Sequence, residues 1–174
     1  RYFNTSRRGA ELIKYASNAF LATKISYINE LANLCEKAGV DIKDISQGMG
    51  SDLRIGERFL RAGPAYGGSC FPKDTRALID TANQFKTDLS IVKSVISSNN
   101  KRKLLLTKRL EKILDGKLKN KTVTFLGVTF KPNTDDMREA SSIPMIKYLN
   151  KRNSNIRYYD PSGEKHDFKK LKNV

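Results

Sequence analysis

The stretch that decides the fold is Lys121-Thr122-Val123-Thr124-Phe125-Leu126-Gly127. It predicts a strand, because β-branched and apolar residues run through it as far as a glycine. A loop over residues 132–136 is expected next, then a helix near residues 141–151, and residues 156–161 (Ile-Arg-Tyr-Tyr-Asp-Pro) predict a second strand. Elements in this order form one βαβ unit of a parallel sheet. A single unit cannot bury both faces of its sheet, so we expect the chain to stop inside its second domain.

Upstream of this unit the sequence predicts helices, the first over residues 10–38, where apolar side chains recur at helical spacing. One stripe comprises Leu12, Ala16, Ala19, Thr23, Tyr27, Leu31 and Leu34, and a second comprises Ile13, Phe20, Leu21, Ile25, Ile28 and Ala32. A helix that is apolar on two faces is covered by more than its own small domain, which predicts a subunit interface. Gly39 is expected to end this helix, and Asp41 to cap a short one after it.

The next part of the chain is divided by glycines and prolines. Residues 48–69 are expected to form loops and turns, with one helical segment near residues 53–60. Pro72 fits the first turn of a helix that runs to about Phe85. Asp88 is expected to cap a further helix extending to Leu114, and its polar middle at residues 99–103 is typical of a helix that bridges two domains.

The composition limits the class of protein. Of 174 residues, 39% are hydrophobic and 29% charged, which is typical of a globular chain. No apolar run approaches the ~18 residues that a membrane span needs, and residues 1–8 lead into no apolar signal segment. Cys35 and Cys70 cannot make a disulfide framework, so we expect a cytoplasmic protein with no membrane partner. The first residue is Arg rather than Met, which suggests a piece of a longer protein.

The formal net charge of +15 is unevenly distributed. Residues 1–98 carry 14 basic and 10 acidic side chains, whereas residues 99–174 carry 19 and 8. Such a surface attracts anions, either a small molecule or nucleic acid. No stacking pattern of basic and aromatic residues and no zinc-finger or RNP-type motif occurs, so we expect no nucleic-acid partner. The one histidine, His166, lies in the charged tail, and neither it nor the cysteines predict a metal site.

The densest chemical signal is residues 63–74, Gly-Pro-Ala-Tyr-Gly-Gly-Ser-Cys-Phe-Pro-Lys-Asp. Glycines let a backbone approach a ligand closely, and successive N–H groups bind anions. Cys70 lies just before the first turn of a helix, where N–H groups and the helix dipole favour a thiolate, and Lys73 adds positive charge. Asp74 lies about one turn beyond Cys70, where it can take a proton or orient a water. The alternative is a free cysteine packed in a core beside an ordinary glycine turn. Cys35, on a helix face beside Leu31 and Leu34, is expected to be a small buried hydrophobe.

A weaker signal is Lys14 with Asn18, which share one helix face at i,i+4 spacing. A lysine with an amide one turn away can bind an oxyanion or hold a catalytic water. Taken alone, the pair is more typical of a solvated helix face.

Five segments together resemble the UDP-glucose 6-dehydrogenase family. They are residues 11–20 (Glu-Leu-Ile-Lys-Tyr-Ala-Ser-Asn-Ala-Phe), Asn29-Glu30, Arg54-Ile55-Gly56, residues 67–74 (Gly-Gly-Ser-Cys-Phe-Pro-Lys-Asp) and residues 127–131 (Gly-Val-Thr-Phe-Lys). Their order and spacing match over nearly the whole chain. The segment after Cys70 is more similar to the UDP-glucose enzymes than to the UDP-N-acetylmannosamine branch of the family. The GDP-mannose branch is more similar to this chain than the UDP-N-acetylmannosamine branch is, so GDP-mannose stays open as the substrate.

The resemblance implies an N-terminal Rossmann domain for NAD, a helical central domain that forms a homodimer, and a C-terminal Rossmann-like domain that helps hold a UDP-sugar. This chain would be a remnant of the upstream region at residues 1–8, the central domain with a long connecting helix at residues 9–115, and the start of the third domain at residues 116–174. The fold class is therefore a mainly α central dimerisation domain followed by an incomplete α/β Rossmann-like segment with a parallel βαβ unit. No G-x-G-x-x-G fingerprint occurs, so the NAD domain is expected to be absent and this chain alone inactive.

The resemblance also implies a mechanism, in which the C6 alcohol of UDP-glucose is oxidised twice with two NAD molecules to give UDP-glucuronate. Cys70 would capture the aldehyde as a thiohemiacetal and then carry a thioester that water hydrolyses, which agrees with its interpretation as an activated nucleophile. Lys14 and Asn18 would stabilise the oxyanion, and Asp74 would help activate the water.

Further residue roles come from the resemblance as well. The implied substrate contacts are Arg54 (reaching across the dimer), Phe59, Leu60, Arg61, Tyr66, Gly67, Phe130 and Lys131, and the implied NAD contacts are Lys73 and Arg138. For Arg54 and Lys131 a solvated role is the alternative. A non-catalytic dimerisation and sugar-nucleotide-binding fragment is the other class of function, because the NAD fingerprint is missing.

Overall fold

The computed structural model describes residues 2–174, which divide into two compact units. The first unit comprises the chain up to Gly63 together with Cys70–Ser98, and the second comprises Pro64–Ser69 together with Asn99–Val174. The short stretch Pro64–Ser69 therefore belongs to a different unit from the residues on either side of it.

The first unit is helical. Its elements are α1 (Arg7–Ala38), α2 (Ile42–Gly50), α3 (Cys70–Gln84) and the first part of α4 (Ser90–Arg102). The Ser6 hydroxyl accepts the Gly9 N–H at the start of α1, and Gly39 ends that helix in the left-handed conformation. Asp41 caps α2 by accepting the Lys43 N–H. The predicted first helix, its glycine end, the Asp41 cap and the helix containing Pro72 are all confirmed.

Helix α1 leaves several of its large apolar side chains exposed. Its buried residues include Ala19, Ile28 and Cys35, and α1 packs against α3 and α2. The larger apolar side chains are exposed: Leu12, Ile13, Phe20, Tyr27 and Leu34. These five bulky apolar side chains therefore remain uncovered within this chain.

The helical segment predicted near residues 53–60 is wrong, since that stretch contains only turns and bends. The Asp52 carboxylate accepts the Arg54 N–H at 2.9 Å, and Gly56 has a φ of 70°. Local side-chain bonds of this kind compete with helix formation, so this segment turns instead of continuing α2.

The second unit is built around one parallel βαβ unit. Its further elements are α5 (Leu105–Ile113), β1 (Thr122–Leu126), α6 (Ser142–Asn150), β2 (Asn155–Tyr159) and a short 3₁₀ helix (His166–Phe168). The strands pair in parallel from Thr122 opposite Asn155 to Leu126 opposite Tyr159. The predicted mainly α chain with a parallel βαβ segment is confirmed.

The core of the second unit packs α6 and the flanking loops against the sheet. Its buried members are Leu118, Val128, Met137, Ala140, Ile146, Leu149, Ile156 and Phe168. Such burial contributes about 1.5–3 kcal/mol for each large side chain, so this cluster stabilises the loop after β1 as well as the sheet itself.

Where one helix is predicted from Asp88 to Leu114, the structure has two, α4 and α5, separated by Lys103 and Leu104. Neither residue is a helix breaker, so the sequence carries no local signal for the interruption. Lys103 is buried and bonds Glu139 at 2.8 Å, a tertiary contact that fixes it within the second unit. The domain limits 9–115 and 116–174 remain predictions. Across the described residues, no helix combines the length and apolarity needed to cross a membrane.

Candidate functional site

Helix α3 begins at Cys70, and its first turn presents that cysteine to solvent. Pro72 fits this turn, because its missing N–H is one that a helix leaves unpaired in any case. Asp74 lies one turn further on and is fully buried, with 0% of its side chain exposed. The start of α3 therefore places an exposed sulfur and a buried carboxylate on successive turns.

The Asp74 carboxylate joins α3 to α1. Its Oδ2 accepts a hydrogen bond from Asn18 Nδ2 at 2.6 Å and lies 3.1 Å from Lys14 Nζ. Its Oδ1 lies 3.6 Å from Lys73 Nζ but has no hydrogen-bond partner although it is buried. The structure therefore brings together Lys14, Asn18, Lys73 and Asp74, four of the predicted residues, around one carboxylate.

The charge state of Asp74 follows from these contacts. Burial raises the pKa of the carboxyl group, whereas the hydrogen bonds from Asn18 and Lys14 and the charges of Lys14 and Lys73 lower it. The second group outweighs burial, so the pKa lies below its ordinary value. Asp74 is therefore ionised at neutral pH, and its Oδ1 is an acceptor without a donor.

In the second unit, Gly67 and Gly68 contact another part of the chain. A Cβ added at Gly67 would lie 2.5 Å from the Glu139 carbonyl oxygen, and one added at Gly68 would lie 2.6 Å from the Phe130 ring. Gly68 also has a φ of 79° and donates its N–H to the Arg138 carbonyl at 2.8 Å. These glycines are thus required for a close approach within the second unit, a role that the sequence did not reveal.

Two buried asparagines hold this glycine-containing loop, and sequence reasoning assigned neither a role. In the first unit, Asn29 Oδ1 accepts the Gly63 N–H at 2.8 Å. In the second, the Asn99 amide accepts the Tyr66 N–H at 2.9 Å and donates to the Tyr66 carbonyl at 3.0 Å. The sequence offers no clear signal for Asn99, because it falls in a stretch that is polar all round and is interpreted as part of a helix bridging two domains.

The predicted substrate residues of the first unit differ in exposure. Phe59 is exposed with a φ of 67°, and its ring meets Phe71 edge to face at 6.0 Å. Arg61 is exposed, whereas Leu60 is only 1% exposed. Leu60 therefore anchors this segment, and its side chain is not presented at the surface of the chain.

Arg54 lies in the turn after α2 with its side chain 89% exposed. Its Nε and Nη2 bond the Asp52 carboxylate, the shortest distance being 2.6 Å. Lys24 of α1 donates to the carbonyls of Ile55 at 2.9 Å and Gly56 at 3.2 Å, which fixes the same turn. The Asp52 carboxylate therefore holds the guanidinium, and Lys24 stabilises the turn that carries it.

The predicted ligand residues of the second unit follow the carboxyl end of β1, the edge at which parallel sheets bind ligands. Lys131 is exposed and lies 5.4 Å above the ring of Phe130. Arg138 bonds Asp136 through Nε and Nη2, the shorter distance being 2.7 Å. Tyr66, another predicted contact, is buried at 6% exposure.

This loop is anchored at Val128, whose N–H donates to Asp160 Oδ2 at 2.9 Å. Burial raises the pKa of Asp160, but hydrogen bonds from Ser162 and Val128 and the charge of Lys165 hold it below its ordinary value. A cavity of about 310 Å³ lies beside the anchor, lined by residues that include Phe130, Ser141 and Ser142.

The chain matches family models along most of its length. The model described as "UDP-glucose/GDP-mannose dehydrogenase family, central domain" matches residues 8–101, and the UDP binding domain of the same family matches residues 124–174. The two models match parts of both units of the fold.

Comparisons with individual proteins indicate the same family. The chain is 53% identical over 165 residues to UDP-glucose 6-dehydrogenase YwqF of Bacillus subtilis, covering 94% of this chain and 37% of that protein. It is 47% identical over 159 residues to a UDP-glucose 6-dehydrogenase of Rhizobium meliloti, covering 91% and 36%. The solved UDP-glucose dehydrogenase from Pyrobaculum islandicum superposes with a TM-score of 0.86 at 41% identity, covering 90% and 36%. The chain thus spans little more than a third of each.

Proposed function

This chain belongs to the UDP-glucose/GDP-mannose dehydrogenase family, and on that premise we propose that it supplies the central and sugar-nucleotide-binding parts of a UDP-glucose 6-dehydrogenase. The proposed reaction oxidises the C6 alcohol of UDP-glucose twice, with two NAD molecules, to UDP-glucuronate. The observation that carries the proposal is the Asp74 carboxylate, which lies one turn of α3 beyond the exposed Cys70 and binds Lys14 and Asn18. The relatives named UDP-glucose 6-dehydrogenase support the choice of substrate.

Cys70 is the proposed nucleophile. After the first oxidation converts the alcohol to an aldehyde, the sulfur adds to the carbonyl carbon, and the carbonyl oxygen gains the proton of the thiol, giving a thiohemiacetal. Loss of a hydride and a proton in the second oxidation leaves a thioester. Water then attacks the thioester carbon, which releases the carboxylic acid and restores the thiol.

Lys14, Asn18 and Asp74 act on the oxygen atoms of these steps. The ammonium and the amide are donors for the oxyanion that forms when water attacks. The unpaired Oδ1 of Asp74 is the acceptor that orients this water. The lowered pKa makes Asp74 a weak base. Its proposed role is therefore to orient the water and the Lys14 ammonium rather than to hold a proton.

The proposed cofactor is NAD, which accepts the hydride in each oxidation. Its anionic pyrophosphate needs cationic donors, and Lys73 and Arg138 are both exposed and positively charged, so their chemistry fits. Lys73 lies in the first turn of α3, where the helix N-terminus also favours an anion. Both residues are proposed to bind the cofactor and to take no part in bond breaking.

The proposed substrate contacts keep the roles implied by the sequence. Arg54 and the segment from Phe59 to Gly67 would bind the sugar nucleotide, with Leu60 acting through its backbone since its side chain is buried. Phe130 and Lys131, beyond the carboxyl end of β1, would contact it from the UDP-binding part. The domain limits 9–115 and 116–174 and a cytoplasmic location, supported by two free cysteines, belong to the same proposal.

We also propose a homodimer through α1. Its exposed residues Ile13, Phe20, Tyr27 and Leu34 recur every seven positions, the period of helices that pair side by side. Phe20→Asp is expected to shift the chain from dimer to monomer in sedimentation, while Lys37→Asp, at the charged end of the same helix, leaves the mass unchanged. A monomeric parent chain, or a Phe20→Asp dimer, would contradict this interface.

The activity is tested in a chimera, in which this chain replaces the matching 165-residue segment of the Bacillus subtilis relative. The chimera is expected to form two NADH per UDP-glucose. Cys70→Ser should abolish steady turnover, whereas Cys35→Ser, which alters a buried packing cysteine, should preserve it. A folded chimera without NADH formation, or one in which Cys70→Ser turns over normally, would refute the proposal.

Two alternatives give different results in this assay. A GDP-mannose enzyme would form NADH from GDP-mannose and not from UDP-glucose. A non-catalytic sugar-nucleotide-binding chain would bind UDP-glucose in calorimetry while the chimera stays inactive.

A further inference from the structure

Two turns in this chain share one arrangement of an aspartate and an arginine two residues later. In the first unit, Asp52 Oδ1 accepts the Arg54 N–H at 2.9 Å and Nε at 3.0 Å, and Oδ2 accepts Nη2 at 2.6 Å. In the second unit, Asp136 makes the same three bonds to Arg138 at 2.8, 3.0 and 2.7 Å. One carboxylate thus fixes both the backbone and the guanidinium of each arginine.

The arrangement is a property of the turns and not of the sequence pattern alone. The pattern Asp-x-Arg occurs a third time as Asp74-Thr75-Arg76, inside α3. Residues two apart on a helix do not face each other, and the Asp74 carboxylate binds Lys14 and Asn18 instead. Only where the backbone turns does this pattern fix the arginine on its aspartate.

The bonded carboxylate leaves much of the Arg54 guanidinium available. Nε–H and one Nη2–H point to Asp52, and a guanidinium has five N–H donors, so three face away from the carboxylate. The side chain is 89% exposed. A long side chain normally loses rotamer entropy when it binds a ligand. Because the bonds to Asp52 already restrain the Arg54 side chain, less entropy is lost when a ligand binds it.

Both aspartates are held in the charged form that this pairing requires. The hydrogen bonds from Arg54 lower the pKa of Asp52, and those from Arg138 lower the pKa of Asp136. Each carboxylate is therefore ionised throughout the neutral range, and the guanidinium keeps its orientation there.

We propose that Asp52 and Asp136 are positioning residues, which hold Arg54 ready for the anionic sugar nucleotide and Arg138 ready for NAD. The inference rests on the proposed function, because it takes from it the ligand of each arginine. It adds that each arginine is presented by its own turn, independently of the other.

The test uses Asp→Asn variants of the chimera with the Bacillus subtilis relative. Asparagine keeps an oxygen that accepts the backbone N–H of a turn, but it loses the charge that holds the guanidinium. Asp52→Asn is expected to raise the KM for UDP-glucose about tenfold, the equivalent of about 1.4 kcal/mol, with kcat within twofold and the KM for NAD unchanged. Asp136→Asn should raise the KM for NAD and leave that for UDP-glucose unchanged.

A double-mutant cycle with Arg54→Ala separates the possible failures. If Asp52 acts through Arg54, Asp52→Asn has no further effect on the KM of the Arg54→Ala variant. An unchanged or lower KM in Asp52→Asn, beside a raised KM in Arg54→Ala, overturns the positioning role and leaves the proposed function standing. An Arg54→Ala variant with unchanged KM overturns the ligand assignment of Arg54 and the inference with it, whereas a loss of NADH formation in the parent chimera overturns the proposed function itself.

Discussion

Gly68→Ala is expected to destabilise the second unit strongly, for two separable reasons. At a φ of 79°, an alanine adopts a left-handed conformation that costs about 1–2 kcal/mol. Its Cβ would also lie 2.6–2.9 Å from three carbons of the Phe130 ring, where optimal carbon contacts are about 3.5–4.0 Å. Displacing the ring by such overpacking costs about 1–3 kcal/mol. The expected loss of unfolding free energy is therefore about 2–5 kcal/mol.

The matched control is Gly39→Ala at the end of α1. Gly39 has a similar φ of 70°, but a Cβ there would meet nothing within 4 Å, so this variant reports the backbone cost alone. Urea unfolding followed by circular dichroism gives the two free energies, and hydrogen exchange of β1 and β2 assigns the Gly68 effect to the second unit. Adding Phe130→Ala to Gly68→Ala should recover part of the loss. Equal destabilisation by both glycine variants, with no recovery, would refute the close-approach argument.

Three further predictions concern charge, polar contacts and packing. The contacts of Asp74 hold its pKa below the ordinary value in the folded chain. The stabilisation is therefore complete above the unfolded pKa and is lost as the pH falls through the folded pKa. Asp74→Asn should flatten the acid limb of a profile of stability against pH, and a profile that matches the parent's would contradict this. Asn99→Ala removes two hydrogen bonds to the Tyr66 backbone and should cost about 2 kcal/mol in urea unfolding. A cost under about 0.5 kcal/mol would mean that water replaces the amide. Ile28→Ala should cost about 2–5 kcal/mol because Ile28 is fully buried. Phe20→Ala, at 66% exposure, should have little effect at concentrations where the chain is monomeric. The opposite order in thermal unfolding would contradict the burial assigned to these two residues.

The helices and the βαβ unit could be predicted because their signals are local. Asp41 caps α2 through its own side chain, and the β-branched run of β1 favours an extended backbone wherever it packs. The break between α4 and α5 could not be predicted, because the Lys103–Glu139 bond joins residues 36 positions apart. The helix expected near residues 53–60 failed for a different reason: Asp52 bonds the backbone of its own turn and stops the preceding helix.

The candidate site was also predictable only in part. The sequence by itself determined the types of chemical group, namely a cysteine at a helix start, an acid one turn later, and a lysine and an amide one turn apart on another helix. Only the tertiary structure decided that Lys14 and Asn18 meet Asp74, since α1 and α3 are far apart in the chain. It also decided that Gly67 and Gly68 accommodate the Glu139 backbone and the Phe130 ring, and that large apolar side chains of α1 remain exposed. Spacing along a helix fixes which residues share a face, but only packing fixes what that face meets.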